Sequence, residues 1–156
     1  MFKKVEVSII ILLFAFAIYC SLITGSFWDE IYEMNIGKDR LKYLFSFGSH
    51  KYFDFHIYTE FYPGFYNTLA IFVTKIFPIK YETEVWRLTH VSFSILAIFG
   101  IYKISSNLFN KKVGKIVFLL CFLNPIFFGH MSINPKDTII AFSNIWATYF
   151  IIRYLQ

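Results

Sequence analysis

Four long apolar runs divide the chain, and polar stretches separate them. The runs cover Val7–Thr24, Leu88–Ile104, Val113–Phe128 and Thr138–Tyr154. A helix rises about 1.5 Å per residue, so about 20 residues cross a hydrocarbon core of about 30 Å. The pattern therefore predicts an all-α integral membrane protein with about four transmembrane helices, of which the third is kinked near its far end by Pro125. The basic residues before the first run also fit a signal peptide, but no clear small-x-small cleavage site follows, so we expect a retained first helix.

A fifth apolar stretch, Tyr62–Ile79, is shorter and ambiguous. Pro63-Gly64 opens it, and Lys75 and Pro78 close it. About a dozen residues remain between these limits, which is short for a span and typical of an interfacial or re-entrant segment. The aromatic residues and flanking lysines fit the lipid headgroup region. The stretch therefore predicts a surface-lying helix in the first outer loop.

Basic residues set the predicted topology. They precede the first run, fill the connection Lys103–Lys115, and end the last run at Arg153. The positive-inside rule places these three regions in the cytoplasm, together with the amino terminus. With four spans, all three basic regions lie on the cytoplasmic side only if Tyr62–Ile79 does not cross the membrane. The polar stretches Thr24–Arg87 and Gly129–Asp137 then both face outside.

Composition supports a membrane protein of one domain, residues 1–156. Hydrophobic residues make up 57% of the chain and charged residues 16%, which excludes disorder and is unusual for a soluble domain. The net charge of +5 does not indicate nucleic acid, because many of the lysines lie at the ends of apolar runs. Cys20 and Cys121 lie inside apolar runs, so we expect neither a disulfide nor a metal site from them.

The first outer loop concentrates the acidic residues, holding eight of the ten carboxylates between Thr24 and Arg87. Asp29-Glu30 follows the first helix closely and lies near the membrane surface. Two adjacent carboxylates can bind a divalent cation, or one can act as a general base. The alternative is a pair that stabilises a helix start, since acids favour the first turn. Both interpretations remain open on the residues alone.

A second candidate is Asn134-Pro135-Lys136-Asp137, which precedes the last run. Asn at the N-cap, Pro at the first position and Asp at the third form a good helix start. Lys136 does not fit that explanation, because a cation at the positive end of the helix dipole is unfavourable unless an anion such as phosphate is held there. Arg87, at the start of the second run, is either an interfacial anchor or a fork for phosphate.

Four further residues lie in the same outer region: His56, Glu60, Tyr62 and His90. A single histidine at an interface is usually a hydrated surface residue, and the alternative is a role in chemistry. The spacing of His and acidic residues matches no zinc pattern. The sequence contains no glycine-rich phosphate loop and no nucleophile elbow.

Several segments, in order, resemble the membrane glycosyltransferases of the GT-C type. They are Trp28-Asp29-Glu30, Glu60–Tyr66 around Pro63, Val85–Leu88 with its Arg-Leu step, Tyr102–Phe109, Leu123–Pro125 and Asn134–Asp137. The chain looks most like the amino-terminal third of the dolichyl-phosphate-mannose protein mannosyltransferases and the bacterial aminoarabinose transferases. Relatives often carry His or Lys where this chain has Tyr62.

The resemblance implies transfer of a sugar from a polyprenyl-phosphate donor in the outer leaflet to a hydroxyl, with inversion. It implies that Asp29 is the base or orients the acceptor, with Glu30 beside it, and that Arg87 and Lys136 neutralise the lipid phosphate. Asp137 would shape the donor site, and Glu60, Tyr62 and His56 would contact substrate. The resemblance leaves open whether a divalent cation is required, and it does not identify the acceptor. It implies that the protein lies in a bacterial inner or plasma membrane.

Two expectations accompany this resemblance. We expect the chain to be the amino-terminal part of a longer transferase and incomplete as an enzyme by itself. The alternative function is a non-enzymatic membrane bundle that binds a lipid head group or a partner helix. In that case the outer acids would serve only to begin helices and to keep the loop soluble.

Overall fold

The computed structural model describes residues 4–49 and 64–156. Within those ranges the chain is helical and contains no strand, which confirms the expected all-α class. The helices are α1 (Lys4–Ile23), α2 (Trp28–Phe45), α3 (Gly64–Thr74), α4 (Glu82–Leu108), α5 (Lys111–Phe122), α6 (Pro125–His130) and α7 (Pro135–Leu155), with a short 3₁₀ turn at Ile79–Tyr81 before α4.

Three segments are long and apolar enough to span a membrane: α1, α4 with the turn before it, and α7. Their lengths of 20, 30 and 21 residues reach or exceed the thickness of a hydrocarbon core. Each leaves large apolar side chains exposed, as expected of helices that face lipid. α4 starts earlier than its apolar run and carries Glu82, Glu84 and Arg87 in its first turns.

The third predicted span is not one helix, and the expected kink is a break. Val113–Phe128 divides into α5, which ends at Phe122, and α6, which begins at Pro125. The Asn124 side chain accepts a hydrogen bond from the backbone N–H of Phe127 at 2.9 Å, and Pro125 occupies the first helical position. Asn as N-cap and Pro at the first position favour a new helix start, so α5 stops at 12 residues.

One end of the bundle is marked by two side-chain contacts. Lys115, early in α5, pairs with Glu6 of α1 at 2.7 Å. Asn107, late in α4, donates to Gln156 at the end of α7, also at 2.7 Å. The start of α1, the ends of α4 and α7, and the start of α5 therefore lie together.

The opposite end is marked by two ion pairs. Arg87 of α4 pairs with Glu30 of α2, and Lys136 of α7 lies 3.1 Å from Glu33 of α2. The chain from the start of α5 to the start of α7 thus runs from one end of the bundle to the other. α5 and α6 together cover this distance in two pieces.

α4 is the helix around which the others pack. One core cluster joins it to α1, α5 and the segment after α6, and a second joins its beginning to α2 and α3. The buried residues of the first are Ala17, Val91, Ile98, Phe118, Phe122 and Met131, and those of the second are Met34, Tyr66, Ala70, Ile71 and Trp86. The α2–α3 pair therefore has its own apolar core against the first turns of α4.

α3 stays at one end of the bundle. Its 11 residues extend about 16 Å, which is too short to cross a hydrocarbon core. Tyr66 near its start contacts Phe93 at a ring-centroid distance of 5.4 Å, while Lys75 just after its end pairs with Glu82 at 3.0 Å. α3 therefore runs antiparallel to the first three turns of α4 and does not extend along the rest of that helix.

Candidate functional site

The acids of α2 share one side of its first turns. Asp29 and Glu33 lie at positions i and i+4, and Glu30 and Glu33 at positions i and i+3, two spacings that a helix brings close together. Glu30 and Glu33 are each 2% exposed, whereas the Asp29 side chain is exposed. Acids in the first turn also complement the positive end of the helix dipole. The first two turns of α2 thus direct two buried carboxylates toward α4 and α7.

Glu30 is bound by Arg87 in a bidentate ion pair. The Arg87 Nε and Nη2 atoms donate to Glu30 Oε1 and Oε2, each at 2.6 Å. The Nη1 atom donates to the backbone carbonyl of Thr24 and, at 3.4 Å, to that of Ser21. The guanidinium therefore ties the end of α1 and the start of α2 to α4. A phosphate would have to displace Glu30 to form the predicted contact with Arg87.

Lys136 joins the two candidate sites that are far apart in sequence. Its Nζ atom lies 3.1 Å from Glu33 Oε1 and 3.7 Å from Asp29 Oδ2. The cation at the start of α7 is therefore stabilised by carboxylates of α2, which supply the negative charge expected near it. The predicted acidic pair and the Lys136-Asp137 step thus lie at the same end of the bundle.

Glu33 is the most unusual carboxylate of this cluster. Among the described residues its Oε2 atom is buried without a hydrogen-bond partner. Burial raises the pKa of Glu33 above the ordinary value of 4.5, the hydrogen bond and charge of Lys136 oppose this shift, and Asp29 adds to it. Sequence reasoning did not select Glu33, although its place four residues after Asp29 was the available signal.

A buried aromatic layer lies next to Glu33. The Tyr66 hydroxyl and His90 Nδ1 share a hydrogen bond, and the Trp86 ring meets the His90 ring edge-on at 4.6 Å between centroids. His90 is fully buried, so it is not a hydrated surface residue. Burial raises the pKa of Tyr66, and the charge of Glu33 adds to the shift. This layer packs against α2 through Met34, next to Glu33.

Asp137 and a histidine that the sequence did not single out meet at the start of α7. Asn134 Nδ2 donates to Asp137 Oδ2 at 2.8 Å and contacts His130 Nδ1 at 3.0 Å. Asn134 Oδ1 accepts the Asp137 backbone N–H at 3.4 Å, as an N-cap does. The predicted helix start is therefore present, and Asp137 takes part in it. His130 enters the site because α6 ends beside the N-cap.

Two cavities meet at this point. The polar pocket has a volume of about 280 Å³ and is lined by Phe27, Asp29, Glu33, His130, Ile133 and Asn134. The apolar cleft, of about 710 Å³, lies between α4, α5, α6 and α7, with His130, Asp137 and Thr138 among its polar lining residues. His130 lines both, so the cleft and the pocket adjoin at its side chain.

Some predicted site residues cannot be placed in this geometry. His56, Glu60 and Tyr62 lie outside the described residues. Within residues 4–49 and 64–156, no group of three or more His, Cys, Asp or Glu side chains is arranged to hold a metal ion.

Comparison of the chain with models of known protein families, with curated proteins and with solved structures found no match. The likeness to the GT-C type therefore rests on the sequence segments described above.

Proposed function

We propose that the protein is a membrane glycosyltransferase of the GT-C type, or the amino-terminal part of one. It moves a sugar from a polyprenyl-phosphate donor to a hydroxyl acceptor at the outer face of the membrane. The observation that carries the proposal is the junction of an acidic, polar pocket with an apolar cleft at the end of a helical bundle. An enzyme whose substrate has a lipid tail and a sugar head needs these two environments side by side.

Asp29 serves as the general base in this proposal. It is the exposed carboxylate of the cluster and lines the polar pocket. The acceptor oxygen attacks the anomeric carbon and gives its proton to Asp29, while the carbon–oxygen bond to the phosphate breaks. The polyprenyl phosphate leaves as an anion. Lys136, at the start of α7, supplies positive charge on that side, and the helix N-terminus adds to it.

The remaining residues have positioning roles. Arg87 holds α2 in place through Glu30, so that Asp29 projects from a fixed turn. Asp137 helps to order the start of α7, from which Lys136 extends. A positioned base and a fixed cation lower the barrier because their orientation is set before the substrate arrives.

The proposal includes the membrane topology expected from the sequence. Four passes, with α5 and α6 as a broken third pass, place α2, α3 and the start of α7 on the outer side. The opposite end then holds Lys103, Lys111, Lys112 and Lys115, as the positive-inside rule requires for a cytoplasmic face. The position of α3 fits this arrangement, because both of its ends contact the first three turns of α4.

The experiment compares Asp29→Asn with Asp39→Asn, which changes an acid on the same helix away from the site. Membrane vesicles containing each variant within its full-length chain receive isotope-labelled polyprenyl-phosphate hexose or pentose, and transferred label is counted. We expect Asp29→Asn to lower transfer by at least 100-fold, as for loss of a general base, with normal membrane insertion. Undiminished transfer by Asp29→Asn would remove this residue from the mechanism.

The second candidate is a non-enzymatic bundle that binds a lipid head group or partner helix. The ion pairs favour it, because Glu30 with Arg87 and Glu33 with Lys136 are arrangements that a purely structural role would also produce. Absence of transfer from both labelled donors by the unchanged protein, within its full-length chain, would favour this candidate.

A further inference from the structure

The end of the bundle at which α5 begins has an excess of positive charge. Its cationic side chains are those of Lys4, Lys103, Lys111, Lys112, Lys115 and Arg153. Among the described residues at this end, Glu6 is the only acidic side chain, and its Oε2 atom lies 2.7 Å from Lys115 Nζ. The other acidic side chains of residues 4–49 and 64–156 belong to α2 and to the first turns of α4 and α7. Within the part of the chain that the structure describes, carboxylates therefore balance little of this charge.

Two lysines of this end are directly accessible. Lys111 and Lys112, the first two residues of α5, are exposed and form no ion pair with any described residue. Phe109, in the turn between α4 and α5, is 71% exposed. A large ring beside ammonium groups is poorly placed in water, whereas the interface of a bilayer offers hydrocarbon to the ring and charged head groups to the lysines. This surface therefore fits lipid head groups better than it fits a nucleic acid.

A small groove between α1 and α5 begins beside these lysines. It has a volume of about 110 Å³, and its walls are formed by Glu6, Ile9, Ile10, Lys115, Phe118 and Leu119. Lys111 lies four residues before Lys115, so it is on the same face of α5, one turn closer to the end of the bundle. Farther from that end, the rings of Phe14 and Phe118 join the two helices at 6.3 Å between centroids. The groove thus has cationic groups at its mouth and mainly apolar walls.

The combination of charge and groove selects one kind of occupant. A soluble phosphate or a nucleic acid would satisfy the lysines but would leave the apolar walls of the groove uncovered. A zwitterionic phospholipid carries its own cation next to the phosphate, so its attraction to lysines is weaker. An anionic phospholipid has a net negative head group with hydrocarbon attached to it, and basic pockets between membrane helices bind such head groups.

We propose that the groove between α1 and α5 binds one anionic phospholipid, with its phosphate at Lys111 and Lys112 and an acyl chain against Ile9 and Leu119. The ammonium groups donate to the phosphate oxygens, and these charge-assisted hydrogen bonds are stronger than neutral ones. The site lies at the opposite end of the bundle from the pocket at the start of α7, so it does not depend on the proposed sugar transfer. A lipid held there joins α1 to α5.

Direct binding tests this assignment. The protein is reconstituted in nanodiscs that contain phosphatidylcholine and phosphatidylglycerol with the same acyl chains, and native mass spectrometry measures which lipid it retains on release. We expect one phosphatidylglycerol to be retained in preference to phosphatidylcholine. Replacing Lys111 and Lys112 together by Gln should lower this preference by about tenfold, because each lysine near the membrane surface attracts anionic lipid. Equal retention of the two lipids by the unchanged protein would overturn the proposal.

The matched control replaces Lys42 and Lys80 together by Gln. Both side chains are exposed, Lys42 late in α2 and Lys80 in the 3₁₀ turn before α4, so the change removes the same charge away from the groove. It should retain phosphatidylglycerol as the unchanged protein does, since only the charge at the groove is predicted to matter. An equal loss in both double variants would show a general attraction of the whole protein and would overturn the assignment.

Glu6→Gln tests the place of the phosphate in the opposite direction. The Glu6 carboxylate lines the groove and pairs with Lys115, so it repels a phosphate at the mouth and competes for that ammonium. Removing its charge should raise the preference for phosphatidylglycerol about two- to fivefold. Unchanged or lower preference would place the phosphate away from this groove and overturn the assignment. The melting temperature of each variant in detergent shows that it is folded before its lipids are compared.

Discussion

At the residue scale, Arg87 shows how a partner changes the meaning of a side chain. An arginine at the start of an apolar run could anchor a helix or bind phosphate. Here it is 5% exposed and holds Glu30 through two hydrogen bonds. Burying two charges costs desolvation energy. A bidentate ion pair offsets this cost only when the remaining N–H groups of the guanidinium also form hydrogen bonds. The carbonyl groups of Ser21 and Thr24 fulfil that condition for the Nη1 atom.

Glu33 gives a prediction for the dependence of stability on pH. Burial raises its pKa in the folded state above the ordinary value of 4.5, so the folded protein binds more protons than the unfolded chain between these two values. Stability from this group is therefore fully present below about 4.5 and decreases as pH rises through the folded pKa. We expect Glu33→Gln to flatten this fall, measured as melting temperature against pH in detergent.

Glu6→Gln is the control for that measurement. Glu6 also pairs with a lysine, Lys115, but its side chain is 34% exposed and lies at the other end of the bundle. Exposed pairs contribute little, so this change should leave the pH profile of melting close to that of the unchanged protein. A profile that Glu33→Gln does not alter would show that Glu33 titrates at an ordinary pKa.

At the element scale, the α2–α3 contact depends on a small residue. A Cβ atom added at Gly37 would lie 2.6 Å from the backbone oxygen of Asn67 and 2.7 Å from Cγ1 of Ile71. Backbone cannot move aside as a flexible side chain can, so the two helices would have to separate. Gly37→Ala is therefore expected to destabilise the protein by about 1–3 kcal/mol, measured by thermal or denaturant unfolding.

Gly129→Ala is the matched control for this helix contact. Gly129 lies in α6, and a Cβ atom there would meet nothing within 4 Å. Alanine has a higher helix propensity than glycine, so this change should be neutral or slightly stabilising. If the Gly37→Ala protein were as stable to unfolding as the Gly129→Ala protein, α2 and α3 would not pack as closely as described here.

At the scale of the whole molecule, the two ends of the bundle carry different chemistry. Acidic and aromatic groups gather around the starts of α2, α4 and α7, and lysines gather where α4 ends and α5 begins. The geometry that brings Lys136 to Asp29 and Glu33 places the polar stretches before α4 and α7 at one end. This separation allows the topology to be tested by chemical labelling.

Single cysteines in a protein whose Cys20 and Cys121 are replaced by alanine give that test. We expect Asn35→Cys in α2 and Gly129→Cys in α6 to react with an impermeant maleimide added outside intact cells. Lys112→Cys in α5 should react only after the cells are opened. These outcomes follow from four passes with the lysine-rich end in the cytoplasm. Labelling of Gly129→Cys and Lys112→Cys from the same side would contradict a crossing by α5 and α6.

Local signals account for what the sequence predicted well. The start of α7 at Asn134 and Pro135 agrees with the expected N-cap and first position, because capping involves only residues three apart. The start of α6 follows the same rule at Asn124 and Pro125, yet the sequence interpretation read that proline as a kink. The apolar run continued through the break, and hydropathy alone does not report where one helix stops.

The candidate site was predicted only in part, for a different reason. Asp29 and Lys136 were selected, but Glu33 and His130 were not. Glu33 pairs with a residue far along the chain, and His130 lines the pocket only because the fold brings the end of α6 close to Asp29 and Glu33. Glu33 is buried, and its partner Lys136 comes 103 positions later. No local pattern carries that information.

The sequence by itself determined the helical class, the long apolar segments and the places where helices can begin, because hydropathy and capping act over a few residues. Only the tertiary structure decided that Arg87 would be occupied by Glu30, that Glu33 would be buried, and that His130 would stand between a polar pocket and an apolar cleft. Ion pairing and desolvation depend on which distant groups come within a few ångströms, and packing alone sets those distances.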